Sequence, residues 1–511
     1  MRQLIYVLFI GIIMSLSSCR KDFSTVASSG NLEFSKTKVY LDTVFSNIGS
    51  STYSLKVYNR SDDDIKIPTI QLGKGMNSKY RIMVDGMSGN NKIFNNVELL
   101  AKDSLYIFIE TTANIADANA VDLTYYDQIL FDNGGSQQAV DLITLIQDCN
   151  FIFPNRSLDK KIYEKIAVQG FDPETTGHVL TSSELNWTNA KPYVIYGNCV
   201  VRNNTKLTIG AGTSVHFHNN ATLIVEDGAT LDIQGSTNVF DPANGKVITK
   251  NEVTFEGDRL EPEYEDVPGQ WGAVILLSGA NNIVKNLTLK NAIVGFLMQR
   301  TSEQTIPLLT FKDTQIYNCS FYGILARQSV VNARNLVINY AGQSCFAGTS
   351  GGNYDFTHCT FNNDWNSNKQ LAVYIDNFEP DNNGKAKQTF VLDAVFKNCI
   401  IYGRNNIELF LDNQTIQGQA VTNWNANFDK CLIKFNDVNN KFTQIEYAQI
   451  KGSNNYQNQN PYFVNSDKNN LRIPNNSFAK GKGATVTLPF KDILNNDRLN
   501  PPDIGAYNAN P

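Results

Sequence analysis

The chain of 511 residues is 42% hydrophobic and 18% charged, with a net charge of −5 and a pI near 5.6. No basic stripe accompanies that balance, which argues against nucleic acid as a partner. The length exceeds what one compact core organises, so several domains or a repeat architecture is expected.

The chain opens "MRQLIYVLFIGIIMSLSSC". Arg2 supplies a positive start, and residues 4–14 form an apolar run. A bilayer span needs about 20 such residues, so the pattern predicts a cleavable signal. Leu16-Ser17-Ser18-Cys19 at its end resembles a bacterial lipobox, and that resemblance implies lipid attachment at Cys19. Residues 1–18 are then a lipoprotein signal peptide and residues 19–30 a polar tether. The mature chain is expected at the bacterial outer membrane, held by its N-terminal lipid on the periplasmic or cell-surface face. Seven cysteines follow Cys19, an odd number without a CxxC pair, which argues against a zinc site. Cys149 and Cys199 are candidates for a disulfide in an oxidising envelope.

Residues 31–150 read as short alternating strands parted by turns. "KVYLDTVFSNIGSSTYSLKVYN" breaks at Asn59-Arg60-Ser61-Asp62, and "IKIPTIQL", "YRIMVDG", "NNVELLAKDSLYIFIE", "YYDQILFDNGG" and "QAVDLITLIQ" follow. About seven strands in about 120 residues is the pattern of an Ig-like β-sandwich. Phe34, Phe45, Ile48 and the run through Thr52 resemble the Ig-like modules typified by the ASPM–SPD-2–hydin group. The resemblance implies a spacer or adhesive unit without a catalytic set.

Residues 151–192 are expected to be a linker and N-terminal cap. From 193 to 511 the texture is that of a solenoid. "TKLTIGAG", "TSVHFHNN", "ATLIVEDG" and "ATLDIQGS" are consecutive octads. Each carries apolar residues at its third and fifth positions: Leu207/Ile209, Val215/Phe217, Leu223/Val225 and Leu231/Ile233. A repeated strand plus turn with one buried side must stack on its neighbour to bury that side. At about three octads per turn this predicts a right-handed parallel β-helix. Cys319, Cys359, Cys399 and Cys431 each precede an apolar residue two positions on (Phe321, Phe361, Ile401, Ile433), which predicts an internal stack of small hydrophobes. Pro502-Asp503-Ile504-Gly505-Ala506-Tyr507 resembles the closing segment of bacterial β-helix proteins, a run that folds over the last coil.

The lipobox, Ig-like module, octads and "GDRLE…Y…PGQW" segment together resemble a family of Bacteroidetes lipoproteins with a pectate-lyase-like β-helix. What this resemblance implies is fold and address, and no defined activity.

One stretch, "FEGDRLEPEYEDVPGQWGAV", is dense in acids. Asp258, Glu261, Glu263, Glu265 and Asp266 sit close together, Arg259 adds a cation, and Trp271 follows. Hard oxygen ligands in a loop suit calcium, so these residues are the candidate ion- or ligand-binding set. Pro262 and Pro268 mark a loop, which reads first as an insertion between coils, with Arg259 paired to an acid and the Trp271 ring buried. His216 and His218 flank Phe217 and read as a solvated outward pair, and His358 reads as pointing away from the core.

The expected function is non-catalytic binding or scaffolding of a glycan or a surface protein, with no cofactor required and calcium as an option. The alternative is a polysaccharide lyase or glycoside hydrolase acting on an acidic surface glycan. Either enzyme needs acids, cations and aromatics converging in one groove on the coil face.

Overall fold

The computed structural model describes residues 25–509, apart from 89–91, 133, 158, 160, 169–174, 242–245, 303 and 419–422. Cys19 and the signal segment lie outside the described residues. The chain is almost entirely β and divides into two compact units, Met1–Asp148 and Cys149–Pro511.

The first unit has two sheets around one core. One is built on Lys38–Phe45, Ile65–Leu72, Ile93–Leu99, Thr124–Phe131 and Gln138–Gln147, with Val26–Ala27 at its edge. The other orders Glu33–Phe34, Tyr53–Tyr58, Ser104–Thr111, Tyr80–Val84 and Met87–Ser88. Alternation decides which side faces in. In Ser104–Thr111, Leu105, Ile107 and Ile109 are buried while Tyr106 and Phe108 face outward. The buried Tyr80 phenol bonds Thr144 Oγ1 at 2.9 Å and the Tyr125 carbonyl at 3.0 Å, so its burial leaves no polar atom stranded.

The second unit winds as a parallel coil. Each early strand pairs with the strand three places on: Lys206–Gly210 with Thr230–Gln234, and Thr222–Val225 with Trp271–Leu276. Leu207 therefore stacks under Leu231 and Ile209 under Ile233, and all eight inward octad positions are fully buried. Farther along, rings take over the file. Phe356, Phe396 and Phe428 are register neighbours, with centroids 4.8 and 4.9 Å apart. That is the strand spacing of a sheet, about 4.8 Å, so the rings stack without strain on the ladder.

One corner repeats at every turn. Asn286, Asp313, Asn335, His358, Asn398 and Lys430 occupy it in succession, each left-handed with φ between 45° and 53°. Asn and Asp tolerate this conformation because their short polar side chains bond locally, which explains four of the six.

Cys359, Cys399 and Cys431 each follow this corner and form one internal file of fully buried thiols. Cys319 does not belong to it. It follows a different corner, Asn318, and pairs with Ala341. Phe321 is 48% exposed, because the chain turns at Ser320 and the alternation stops there. No disulfide joins Cys149 to Cys199, and Cys199 points into the core beside Leu223.

Glu408 is fully buried in the coil. One carboxyl oxygen accepts from the Asn405 N–H at 2.6 Å, and the other has no partner among the described residues. Burial pushes this carboxyl up from 4.5 to about 9, so the fold holds it protonated at neutral pH. The unfolded chain releases that proton above its ordinary range. Stability of this unit should therefore fall as pH rises from 4.5 towards 9, by about 1.4 kcal/mol per pH unit from this group. Denaturant titrations of wild type and Glu408→Gln across that range should show the slope reduced in the variant.

Candidate functional site

The register of the coil lines up an outward file on one flank: Ser214, Thr254, Thr288, Gln315, Val337, Thr360, Ile400 and Leu432. Its first half is polar and its second half largely apolar. The apolar half must be covered, and the C-terminal segment 461–509 covers it. Leu471, Ile493, Ala506 and Tyr507 pack with Val337, while Ile473, Ala479 and Ile504 pack with Ile400 and Leu432. The Pro502–Tyr507 run thus lies back along the flank instead of over the last coil. Its anchors span several turns: Ala506 N–H donates to Thr360 Oγ1 at 3.0 Å, and Tyr507 Oη to Gln315 Oε1 at 2.8 Å.

Where the cover stops, the polar half is left as a groove of ≈ 630 Å³. Its lining comes from the coil face, from the hairpin Val239–Phe240/Val247–Thr249, from Glu265 and Asp266, and from Lys468, Arg472 and Tyr507 of the C-terminal segment. A chain of hydrogen bonds crosses its floor. Tyr507 and Tyr317 both donate to Gln315 Oε1, whose amide donates to Thr288 Oγ1 at 3.2 Å. Thr288 donates to Glu252 at 2.8 Å, and Asn238 donates to the other Glu252 oxygen at 2.9 Å.

Charge in the groove is largely paired. Glu256 faces Lys290 Nζ at 3.0 Å and His216 Nδ1 at 3.6 Å. Burial would push the Glu256 carboxyl up, but His216, Lys290 and Lys250 outweigh it and hold it below its ordinary range. Lys250 Nζ bonds Ser214 Oγ and Thr254 Oγ1, both at 2.9 Å. Lys468 meets Asp266 at 3.1 Å.

The acidic stretch is divided among these environments. Asp258 accepts from His218 Nδ1 at 2.7 Å. Arg259 forks onto Glu261 at 3.0 to 3.1 Å and lies over the Tyr264 ring. Glu263 is exposed on the short helical turn Pro262–Tyr264. Of the candidate set, only Glu265 and Asp266 reach the groove, where Glu256 at the head of the stretch joins them. Trp271 does not belong to a ligand surface. It is fully buried, stacked 4.1 Å from Phe217, with its N–H on the Lys290 carbonyl at 2.9 Å. No three His, Cys, Asp or Glu side chains among the described residues are grouped to hold a metal ion. Asp258, Glu261 and Asp266 each face a different partner, so the set does not converge as a calcium cage would.

The histidines also depart from expectation. His216 is 5% exposed, roofed by Glu256 and Gly257 of the next turn, and burial pulls its pKa below 6.5. His218 remains half-exposed, stacked on Tyr196. His358 is fully buried under the C-terminal segment, which takes its pKa down to about 2. Lys250, Glu252, Glu256, Lys290, Gln315, Tyr317, Arg472 and Tyr507 were not singled out from the sequence. They span more than 250 positions, and only the register between turns brings them together.

No family model matches the chain, and no curated protein matches it. Among solved structures it is similar to the E. coli chaperone DraB, at 16% identity and a TM-score of 0.16, over 24% of this chain and 57% of the chaperone. It is also similar to the ASH/PapD-like domain of human CEP192 (PapD-like domain 7), at 13% identity and a TM-score of 0.16, over 27% of this chain and 99% of that domain. These neighbours are Ig-like domains.

Asn398 pins the groove's cover. Its side chain exchanges two bonds with Ala484, at 2.7 and 2.8 Å, and its carbonyl accepts from Gly505 N–H at 2.8 Å. Asn398→Ala leaves the Ala484 amide groups unpaired, a loss of about 2 kcal/mol. Hydrogen exchange should then speed up across residues 479–507 before it does in the coil strands.

Proposed function

We propose that the chain is a lipid-anchored protein of the bacterial cell envelope, and that its second unit is a right-handed parallel β-helix. On this reading the β-helix binds an extended glycan or a surface partner in the flank groove without turning it over. The three-strand period and parallel register support the β-helix, and parallel strands joined by a crossover are right-handed in almost every case. Leu16-Ser17-Ser18-Cys19 supports the lipid anchor, and the first unit would serve as an Ig-like spacer.

The observation that carries the binding role is the groove floor, an unbroken line of hydroxyl, amide and carboxylate groups from Tyr507 to Asn238. Sugar hydroxyls both donate and accept, and such a floor offers them both. The same floor argues against turnover. Glu256 is held ionised by Lys290, so it has no proton to give a leaving group near neutral pH. No cofactor is needed for this role.

A specific observation favours a second reading, a glycoside hydrolase. Asp376 and Asp412 are register neighbours on adjacent turns, beside the stacked rings of Tyr374 and Phe410. Adjacent strands lie about 4.8 Å apart, near the about 5–5.5 Å between the carboxyls of retaining glycosidases. Burial raises Asp376 to about 6; its backbone hydrogen bonds from Ser350 and Phe378 oppose that rise, and Asp412 adds to it.

The test is to incubate the full chain in detergent with uronic and neutral glycans, with and without calcium. The binding reading expects retention of a glycan with no new reducing ends and no unsaturated products. Release of either product would overturn it, and loss of that release in Asp376→Asn would establish the second reading.

A further inference from the structure

One cation of the groove stands apart. Lys290, Lys468 and Lys250 all have the partners described above, whereas the Arg472 guanidinium lines the groove and forms no hydrogen bond or ion pair with any described residue. Its backbone is fixed. Leu471 and Ile473 on either side are buried against the coil, and the Arg472 carbonyl accepts from Val464 N–H at 2.9 Å. Tyr317 and Tyr507, at the end of the floor's hydrogen-bond chain, line the same groove, and the charge of Arg472 acts on both phenols.

Arg498, in the same C-terminal segment, shows what a structural arginine looks like here. It is half-buried and donates to Asn335 Oδ1 at 2.7 Å and to the carbonyls of Gly505 and Ala506 at 3.2 Å. Arg472 has no such set. A guanidinium is an always-charged planar fork that matches a carboxylate or sulfate through paired N–H donors. Beside two buried tyrosines such a pairing is less screened than on an open surface.

We infer that Arg472 is the anion subsite of the groove, and that the ligand is an acidic glycan whose carboxylate or sulfate is seated on that guanidinium. This rests on the groove being the glycan site proposed above. The hydroxyls of the anionic sugar then lie over Gln315 and Thr288, the polar positions of the floor nearest the two phenols.

The test uses the full chain in detergent and short oligosaccharides of galacturonate, mannuronate and glucuronate. Each is compared with its methyl ester, which keeps the shape and removes the charge, and a sulfated oligosaccharide forms a further arm. At least one acidic form should bind tenfold or more tightly than its neutral counterpart, and added salt should weaken it. Whether a uronate or the sulfated sugar leads identifies the anion. Arg472→Gln should erase the preference for charge, so that acid and ester bind alike, with the circular dichroism spectrum unchanged. Arg472→Lys should restore part of the preference. Equal binding of acids and esters, or a preference that survives Arg472→Gln, overturns the anion subsite alone. Failure of every glycan to bind overturns the groove reading and the subsite with it.

Discussion

The second unit depends on one constraint: each turn can bury its inward side chains only on the turn below. Parallel register enforces it, because identical slots recur at the strand spacing of about 4.8 Å. The consequences run through the interior. Leu207 sits under Leu231, three phenylalanines stack from Phe356 to Phe428, and three thiols follow one another from Cys359 to Cys431. The left-handed corner from Asn286 to Lys430 keeps the register by bending every turn at the same place.

The same register acts on the outside, where no core demands apolar residues, and there the file from Ser214 to Leu432 changes character. Val337, Ile400 and Leu432 would leave an apolar strip in water, so the C-terminal segment lies along them. Thr254, Thr288 and Gln315 need no cover, and the groove opens where the apolar strip ends. The groove is therefore a boundary between two kinds of outward residue. Its position follows from where the cover has a reason to stop. That also explains why the cover brings Arg472 and Tyr507 to the groove: they stand on the segment that forms its edge.

The acid-rich stretch shows how density in sequence differs from convergence in space. Asp258, Arg259 and Glu261 are satisfied by near neighbours, two of them by each other. Glu256 faces the groove because it is in register with His216, a relation that residue spacing alone does not reveal. Trp271 is buried for the same kind of reason, since an inward slot of the coil takes its ring onto Phe217.

The octads were legible because a period of two and a constant length are local properties, and each apolar pair they marked is buried. The alternating strands of the first unit were legible for the same reason. Later turns vary in length, with the corner moving from Asn335 to His358 to Asn398 to Lys430 at unequal steps, so outward positions could not be aligned by counting. That is why Cys319 was grouped with the wrong file and the burial of His358 beneath the C-terminal segment did not show in the spacing. The sequence by itself determined which residues face inward wherever the repeat is regular, because alternation and turn chemistry act over a few residues. Only the tertiary structure decided the site. Its floor, acids and free guanidinium come from turns and a C-terminal segment far apart in the chain, and they meet through stacking register and the need to cover apolar surface.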